Sequence, residues 1–354
     1  MLNICMVGHG MMGVWHSEAL RLVDDARLHT VVGRPAKPAG ESPATPTVGN
    51  KPPTTATFAE KYGYKKWTTN LGEALEDPEV DVVIIAGPSE THAEMALASL
   101  EHGKHTLVEI PIAMNLDGAE RVVAAAKEKG LTLGVVHPMR FRQERLPIVE
   151  RIHRGEERVS HVQGRFFIHR LSNVGATGLQ RSWTDNLLWH HTTHLIDFGL
   201  WMVSGGDMAT ADARIRNIYS AYPPIEPRTG IPMELVLVVE THDDQTIVCT
   251  GSYYSGEYIY DTLAVTDRDS YRVNERKSTM FTGAAKKQIA SEQENAELIA
   301  PDFVKAIKDG RDPAVPGWSV LPAMRVLHRV QSDWDAKHGA QLIPGRCSAP
   351  SSGT

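Results

Sequence analysis

Imidazole is the side chain that titrates nearest neutrality, and His190, His191 and His194 crowd together in RSWTDNLLWHHTTHLIDF, residues 181–198. A histidine can take a proton from a hydroxyl while hydride leaves the same carbon, which is general-base catalysis of an alcohol oxidation. Read as a helix from about Asn186 with Asp185 as N-cap, the stretch puts His190, His194 and Asp197 on one face at i, i+4 and i+7, with His191 one step round. Three uses compete: a proton relay, a metal site on the i, i+4 pair, and structural histidines. No glutamate follows His190 in the HExxH manner and no cysteine is near, so no metal is expected and the relay is preferred. Its members would be His194, His190, His191 and Asp185.

A hydride needs an acceptor, and the amino-terminal segment offers a place for one. Gly8-His9-Gly10-Met11-Met12-Gly13 is a GxGxxG sequence between an apolar run and an amphipathic one. The first glycine permits a tight turn, the second lets backbone amides approach a pyrophosphate, and the third lets helix and strand pack closely. Dinucleotide binding by these six residues is the expectation. The next apolar run ends Val31-Val32-Gly33-Arg34, without the acidic residue that would bond a ribose 2′-hydroxyl. The guanidinium of Arg34 suits a 2′-phosphate, so NADP is favoured and NAD remains open. Pro88, Ser89 and His92 after one run, and Glu109, Ile110 and Pro111 after another, stand where open parallel sheets bind ligands. They either line the nicotinamide slot or only punctuate turns.

Basic side chains cluster elsewhere: Arg140 and Arg142 in HPMRFR, His169 and Arg170 in FFIHR, and Arg181 with Trp183 beside it. Arginine forks read carboxylates bidentately, so Arg140, His169, Arg170, Arg181 and Trp183 are candidates for holding an anionic small molecule. Surface ion pairs are the plainer use.

The elements that must position these residues follow from apolar periodicity. Short apolar runs at Leu2–Val7, Leu28–Gly33, Val80–Ala86, His105–Glu109 and Leu131–Val136 alternate with helical stretches at Val14–Val23, Thr91–His102 and Leu116–Lys129, the last two closed by Gly103 and Gly130. That is an α/β pattern, a Rossmann dinucleotide-binding domain over residues 1–137. Pro35–Thr57 is crowded with Pro, Gly, Ser and Thr and reads as an exposed loop. Beyond residue 137 the style changes to strand-like runs at Val159–Arg170, Ala211–Ala221, Glu234–His242, Thr246–Tyr254 and Tyr258–Val265, joined by short polar turns. Residues 138–340 are expected to be an α+β domain with a largely antiparallel open sheet, closed by helices at Gln293–Lys308 and Trp318–Lys337; residues 341–354 read as a flexible tail.

Composition limits the partners. The chain has 354 residues and a net charge of −6, so no global positive field exists to hold nucleic acid. Its cysteines, Cys5, Cys249 and Cys347, lie far apart without CxxC spacing, which speaks against a disulfide framework and fits a reducing cytoplasm. No apolar run reaches the roughly 18 residues of a membrane span, and no cleavable leader is read at Met1–Val7.

With GHGMMG, AGPSETHAEMA, EIP, VVHPMRFRQE and HTTHLIDF assembled, the chain resembles the glucose-fructose oxidoreductase / inositol dehydrogenase / MocA family over about residues 1–338. In that family an EKP tripeptide carries a lysine near the nicotinamide and a DxGxHxxD stretch carries a catalytic histidine. Here Ile110 replaces the lysine and His190 stands at the aspartate, while His194 and Asp197 match. Both departures, together with the long histidine motif, resemble the subgroup of 4-carboxy-2-hydroxymuconate semialdehyde dehydrogenases. The resemblance implies oxidation of a cyclic hemiacetal to 2-pyrone-4,6-dicarboxylate with NADP in protocatechuate breakdown, a dicarboxylate substrate for the basic cluster, and a homodimer or homotetramer. Sugar, inositol or polyol oxidation is the alternative within the family, and a non-catalytic NADP-binding sensor protein is the alternative of another class.

Overall fold

The computed structural model describes residues 1–34, 54–173, 186–274, 277–282, 285–289 and 296–339. They form two compact units: residues 1–34, 54–138, 173 and 296–318 belong to the first, and residues 139–172, 186–274, 277–282, 285–289 and 319–339 to the second.

In the first unit β1 (Leu2–Val7), α1 (Met11–Leu20), β2 (Ala26–Val32), α2 (Thr55–Tyr62), β3 (Lys66–Thr68), α3 (Leu71–Glu76), β4 (Val82–Ile85), α4 (His92–Glu101), β5 (His105–Val108), α5 (Leu116–Lys129) and β6 (Leu133–Val135) alternate. The strands pair in parallel in the order β3-β2-β1-β4-β5-β6. Crossover helices cover both faces of such a sheet, so its central strands must be apolar throughout. Ile4, Cys5, Met6, Val82, Val83, Ile84 and Ile85 are accordingly fully buried. Both ends of α5 have local causes: the Asn115 side chain accepts from Gly118 N–H at 2.7 Å, and Gly130 caps the other end in the left-handed region at φ 63°.

The proline-rich stretch differs from expectation at its end. Thr54 is an N-cap whose hydroxyl accepts from Thr57 N–H, and Thr55–Thr57 already belong to α2. Residues 35–53 lie outside the described residues. Helix α1 begins three residues earlier than periodicity indicates, directly on Gly10.

The second unit opens with α6 (Leu146–His153) and β7 (Val159–His169). It continues with α7 (Thr193–Val203), α8 (Ala211–Arg214), β8 (Ile215–Ala221), β9 (Glu234–Thr241), β10 (Thr246–Ser252), β11 (Tyr254–Thr266), β12 (Ser270–Asn274), β13 (Lys277–Thr282) and β14 (Ala285–Ile289). Its eight strands run in the order β14-β13-β12-β11-β7-β10-β9-β8, antiparallel except for β7 against β10. Expected strand Ala211–Ala221 is a short helix for its first turn, and β12 to β14 were not anticipated. Helix α7 is buried nearly all round, and each large side chain so removed from water contributes about 1.5–3 kcal/mol. Three glycines let it and the preceding turn settle on the sheet: a Cβ at Gly164 would meet Leu195, one at Gly199 would meet Ile247, and one at Gly251 would meet Leu187, each within 3 Å.

Two helices close the chain. α9 (Ala296–Asp309) belongs to the first unit, where its Phe303 presses on Gly134 of β6, although sequence style groups it with the second. α10 (Leu321–His338) belongs to the second unit, and its Gln331 accepts from Trp189 Nε1 at 3.2 Å. Residues 341–354 lie outside the described residues. Among the described residues no helix is long and apolar enough to cross a membrane.

Candidate functional site

At the carboxyl end of β1 the chain turns sharply through Gly8, at φ 100°, where a Cβ would lie 2.4 Å from the Ala86 carbonyl oxygen. A side chain is excluded on both counts. Gly13 is equally constrained, because its Cβ would lie 2.4 Å from the Gly8 carbonyl oxygen. Gly10, by contrast, faces open space and precedes a helix whose first amides have no side-chain cap. Free N–H groups at a positive helix end, approachable because Gly10 lacks a side chain, are what a pyrophosphate needs, so these residues fit a dinucleotide. Met11 is exposed and Met12 half-buried at that opening.

His9 turns away from it. Its Nε2 lies 3.2 Å from Thr55 Oγ1 and its ring 5.6 Å from that of Phe58. Burial there pushes the imidazole below its ordinary value, and the charge of Arg34 pushes it further down. Arg34 is exposed at this strand end. A Cβ on Gly33 would fall 1.8 Å from Thr55 Oγ1, so the position of a ribose-binding acid cannot carry any side chain without moving α2.

The other strand ends divide into groups that face outward and groups that brace. Pro88 and Ser89 are half-buried in a single 3₁₀ turn, with the Pro88 carbonyl accepting from Thr91 Oγ1 at 2.7 Å. His92 is buried, its Nδ1 2.7 Å from the Pro111 carbonyl oxygen and its Nε2 3.1 Å from that of Gly87. It ties the two strand-end loops together and is better described as their brace than as a cofactor contact. Glu109 is likewise held, 2.9 Å from His16 Nε2 on α1. Ile110 is buried and joined to Pro111 by a cis peptide bond, so no ammonium stands at this position.

In the second unit the histidine segment is not the single α-helix expected. Residues Leu187–Thr192 form a π-helical turn that runs into α7, and its cap is Asn186, whose Oδ1 accepts from Trp189 N–H at 3.0 Å. Asp185, with Arg181 and Trp183, lies outside the described residues. A wider turn rotates the residues after it, so the i, i+4, i+7 face breaks up. His190 and His194 remain half-buried with rings 6.1 Å apart and edge to face, while Asp197 is driven fully into the core. His191, 4.3 Å from the His190 ring, stacks on Phe166 at 3.6 Å between centroids and has Nδ1 3.0 Å from the Tyr253 hydroxyl. That clamp fixes its orientation; His190 and His194 keep partly open edges. Tyr253 is a member of this cluster that sequence reading missed, since nothing in TGSYY distinguishes it from Tyr254 next to it.

The basic group is reassigned in part. Arg140 does not await a carboxylate substrate. It is 4% exposed, donates from Nε to Asp197 Oδ2 at 2.8 Å and from Nη2 to Asp197 Oδ1, and also reaches Ser319 Oγ at 2.9 Å. Separated by 57 positions, the pair is invisible to any local pattern. Arg142 pairs with Glu144 at 3.3 Å. Arg170 lies with its guanidinium 5.8 Å from the Tyr253 ring centroid, and His169 is exposed beside it at the end of β7. These two are therefore the described members near the histidine cluster.

Known proteins share both halves. Residues 2–137 match the oxidoreductase family with an NAD-binding Rossmann fold, and residues 145–288 match the bacterial oxidoreductase C-terminal domain. The chain is 30% identical over 335 residues to 4-carboxy-2-hydroxymuconate-6-semialdehyde dehydrogenase of Sphingobium sp. strain SYK-6, covering 93% of this chain and 98% of that one. It is 31% identical over 156 residues to an NAD-dependent scyllo-inositol 2-dehydrogenase of Bacillus subtilis, covering 44% of this chain and 41% of that one. Levoglucosan dehydrogenase in complex with NADH and levoglucosan has the same fold, at TM-score 0.77 and 17% identity over 95% of this chain and 97% of that one. Glycines shaped for a dinucleotide, a second unit carrying the histidines and a match running almost end to end lead to one assignment: the chain is an NAD(P)-binding oxidoreductase of the glucose-fructose oxidoreductase / inositol dehydrogenase / MocA family.

Proposed function

We propose that the protein oxidises the cyclic hemiacetal of 4-carboxy-2-hydroxymuconate semialdehyde to 2-pyrone-4,6-dicarboxylate, with NADP⁺ as acceptor, in the breakdown of aromatic ring-cleavage products. A dinucleotide held by Gly8, Gly10 and Gly13 would supply the acceptor for the hydride of the hemiacetal carbon. His194, with His190 beside it, takes the hydroxyl proton, so the C–H and O–H bonds break as the lactone C=O forms. His191, clamped by Phe166 and Tyr253, orients the pair. The observation that carries this reading is the half-buried His190–His194 pair in a chain whose Ile110 supplies no lysine, together with likeness over 98% of the Sphingobium dehydrogenase. Arg170 and His169, with Arg181 and Trp183, are the proposed holders of the two carboxylates.

A ligand that binds only the folded chain raises its stability in proportion to occupancy, by about 2.7 kcal/mol at a hundredfold excess over Kd. The lactone dicarboxylate is therefore expected to raise Tm and myo-inositol to leave it unchanged; protection by the polyol alone would move the substrate to the polyol class. We also propose NADP⁺ over NAD⁺, since Arg34 is exposed at a strand end that Gly33 keeps free of an acid. A charge-assisted bond to a phosphate contributes about 1.5–3 kcal/mol, so Arg34→Ala should weaken NADPH binding roughly 10- to 150-fold and NADH binding little, as read by fluorescence titration. Equal effects on both cofactors would remove Arg34 from the discrimination. For the assembly, a homodimer or homotetramer, we propose the face of the second sheet that exposes Tyr219 and Val236 as the contact; sedimentation as a monomer would exclude it.

A further inference from the structure

Toward the amino-terminal ends of the parallel strands, away from the dinucleotide loop, three side chains able to ligate a metal converge from separate elements. His29 comes from β2, and Asp77 and Glu79 from the connection between α3 and β4. One ligand atom from each can be chosen so that all lie within 4.8 Å of one another. His29 is only 1% exposed; its Nδ1 lies 2.9 Å from Thr30 Oγ1, and its Nε2 has no hydrogen-bond partner. The nearest carboxylate oxygen to that nitrogen is Glu79 Oε2, at 3.5 Å. The connection itself is rigidly held. Asp77 Oδ1 accepts from Glu79 N–H at 3.0 Å, and Lys104 Nζ donates to the carbonyls of Asp77 and Val80 at 2.9 and 2.8 Å.

We infer that His29, Asp77 and Glu79 form a site for a divalent transition-metal ion of the zinc class, bound by His29 Nε2 and one oxygen from each carboxylate. Several features support it. A buried imidazole nitrogen without a partner, facing two carboxylates, is a group that a cation would satisfy. In the tautomer in which Thr30 Oγ1 accepts from Nδ1–H the lone pair is left on Nε2, the arrangement in which an outer hydrogen bond fixes a ligating histidine. Metal–ligand bonds of about 2.0–2.2 Å around a tetrahedral ion put neighbouring ligand atoms about 3.3–3.6 Å apart, and His29 Nε2 and Glu79 Oε2 already stand at that spacing. One imidazole with two carboxylates suits zinc, cobalt or nickel better than magnesium or calcium, which prefer shells of oxygen.

The ion would have rivals. Lys66 Nζ lies 2.6 Å from Asp77 Oδ2, and Lys65 Nζ lies 2.9 Å from Glu79 Oε2. Both are half-exposed ammonium groups on flexible stems, free to swing into water when a divalent ion takes the oxygens. They neutralise the carboxylates, while His29 Nε2 stands 3.5 Å from Glu79 Oε2, longer than a hydrogen bond of ordinary length. Bound metal would pin the Asp77–Glu79 connection to β2, a structural role independent of the proposed reaction.

The test is titration of the full-length, chelator-stripped protein with Co²⁺, followed by visible absorption and by displacement with Zn²⁺. One equivalent is expected to bind. Glu79→Gln, at an exposed position that does not endanger folding, should weaken binding at least about tenfold, and His29→Ala should abolish it. Removing the competing ammonium groups in the Lys65→Met, Lys66→Met double variant should tighten binding by about threefold to tenfold. The His190→Asn, His194→Asn double variant should bind as the parent does. Absence of stoichiometric binding, binding indifferent to Glu79→Gln, or binding lost with His190 and His194 would each overturn the inference.

Discussion

Replacing His194 by alanine is expected to lower kcat about 10²- to 10⁴-fold, the range that a positioned general base contributes, while Kd for NADP⁺ stays within about twofold. The split follows from where the residues lie. His194 is in the first turn of α7 in the second unit, whereas Gly8, Gly10 and Gly13 are in the first. His194 is also half-buried, while His191 is held by the Phe166 ring and the Tyr253 hydroxyl. A histidine that merely supported the fold would, when removed, lower stability and both kinetic parameters together. Stopped-flow measurement of NADPH formation separates the two cases, and an unchanged rate would remove His194 from the mechanism.

The second large effect is on stability. Asp197→Ala leaves the Arg140 guanidinium buried beside an empty space, and breaking a buried, hydrogen-bonded pair in this way costs about 3–5 kcal/mol. Replacing both partners with apolar residues of similar size, Arg140→Met with Asp197→Leu, should recover most of that loss, because the desolvation cost disappears along with the attraction. Urea unfolding of the four proteins of the cycle measures the coupling. If Arg140 instead held a substrate carboxylate, Arg140→Met would raise KM and leave stability almost untouched. Such an outcome would reverse the reassignment made from the structure.

The first unit was largely legible because its signals are local. A buried parallel strand must be a short continuous apolar run, and a glycine-rich turn between such a run and a helix has few other uses. Leu2–Val7 as β1, Leu116–Lys129 as α5 and the Gly130 cap appear as read. Legibility fails where distance in sequence decides. The Arg140–Asp197 pair, the Glu109–His16 contact, the bracing of two loops by His92 and the return of α9 to the first unit each depend on partners brought together by the fold. The π-helical turn at Leu187–Thr192 fails for another reason. One residue more per turn leaves composition and apolar spacing almost unchanged, yet it sends Asp197 inward and keeps His190 and His194 half open. Strands β12 to β14 carry polar and charged residues such as Arg272, Lys277 and Lys286, which hide the two-residue alternation of a half-covered sheet.

The first unit carries Ile110 where the resembled family has a lysine, and the second unit carries the histidines on a widened turn. In the proposed reaction the burden of proton removal falls on imidazole, and Arg170 near Tyr253 is the guanidinium proposed for an anionic ring.

The most direct measurement is the growth of NADPH absorbance when the purified protein is given NADP⁺ and, in parallel cuvettes, the ring-cleavage hemiacetal, myo-inositol, scyllo-inositol and levoglucosan. The account predicts rapid reduction with the hemiacetal, formation of the lactone dicarboxylate in equal amount, and rates at least about a hundredfold lower with each polyol. Efficient turnover of a polyol with none of the hemiacetal would contradict it.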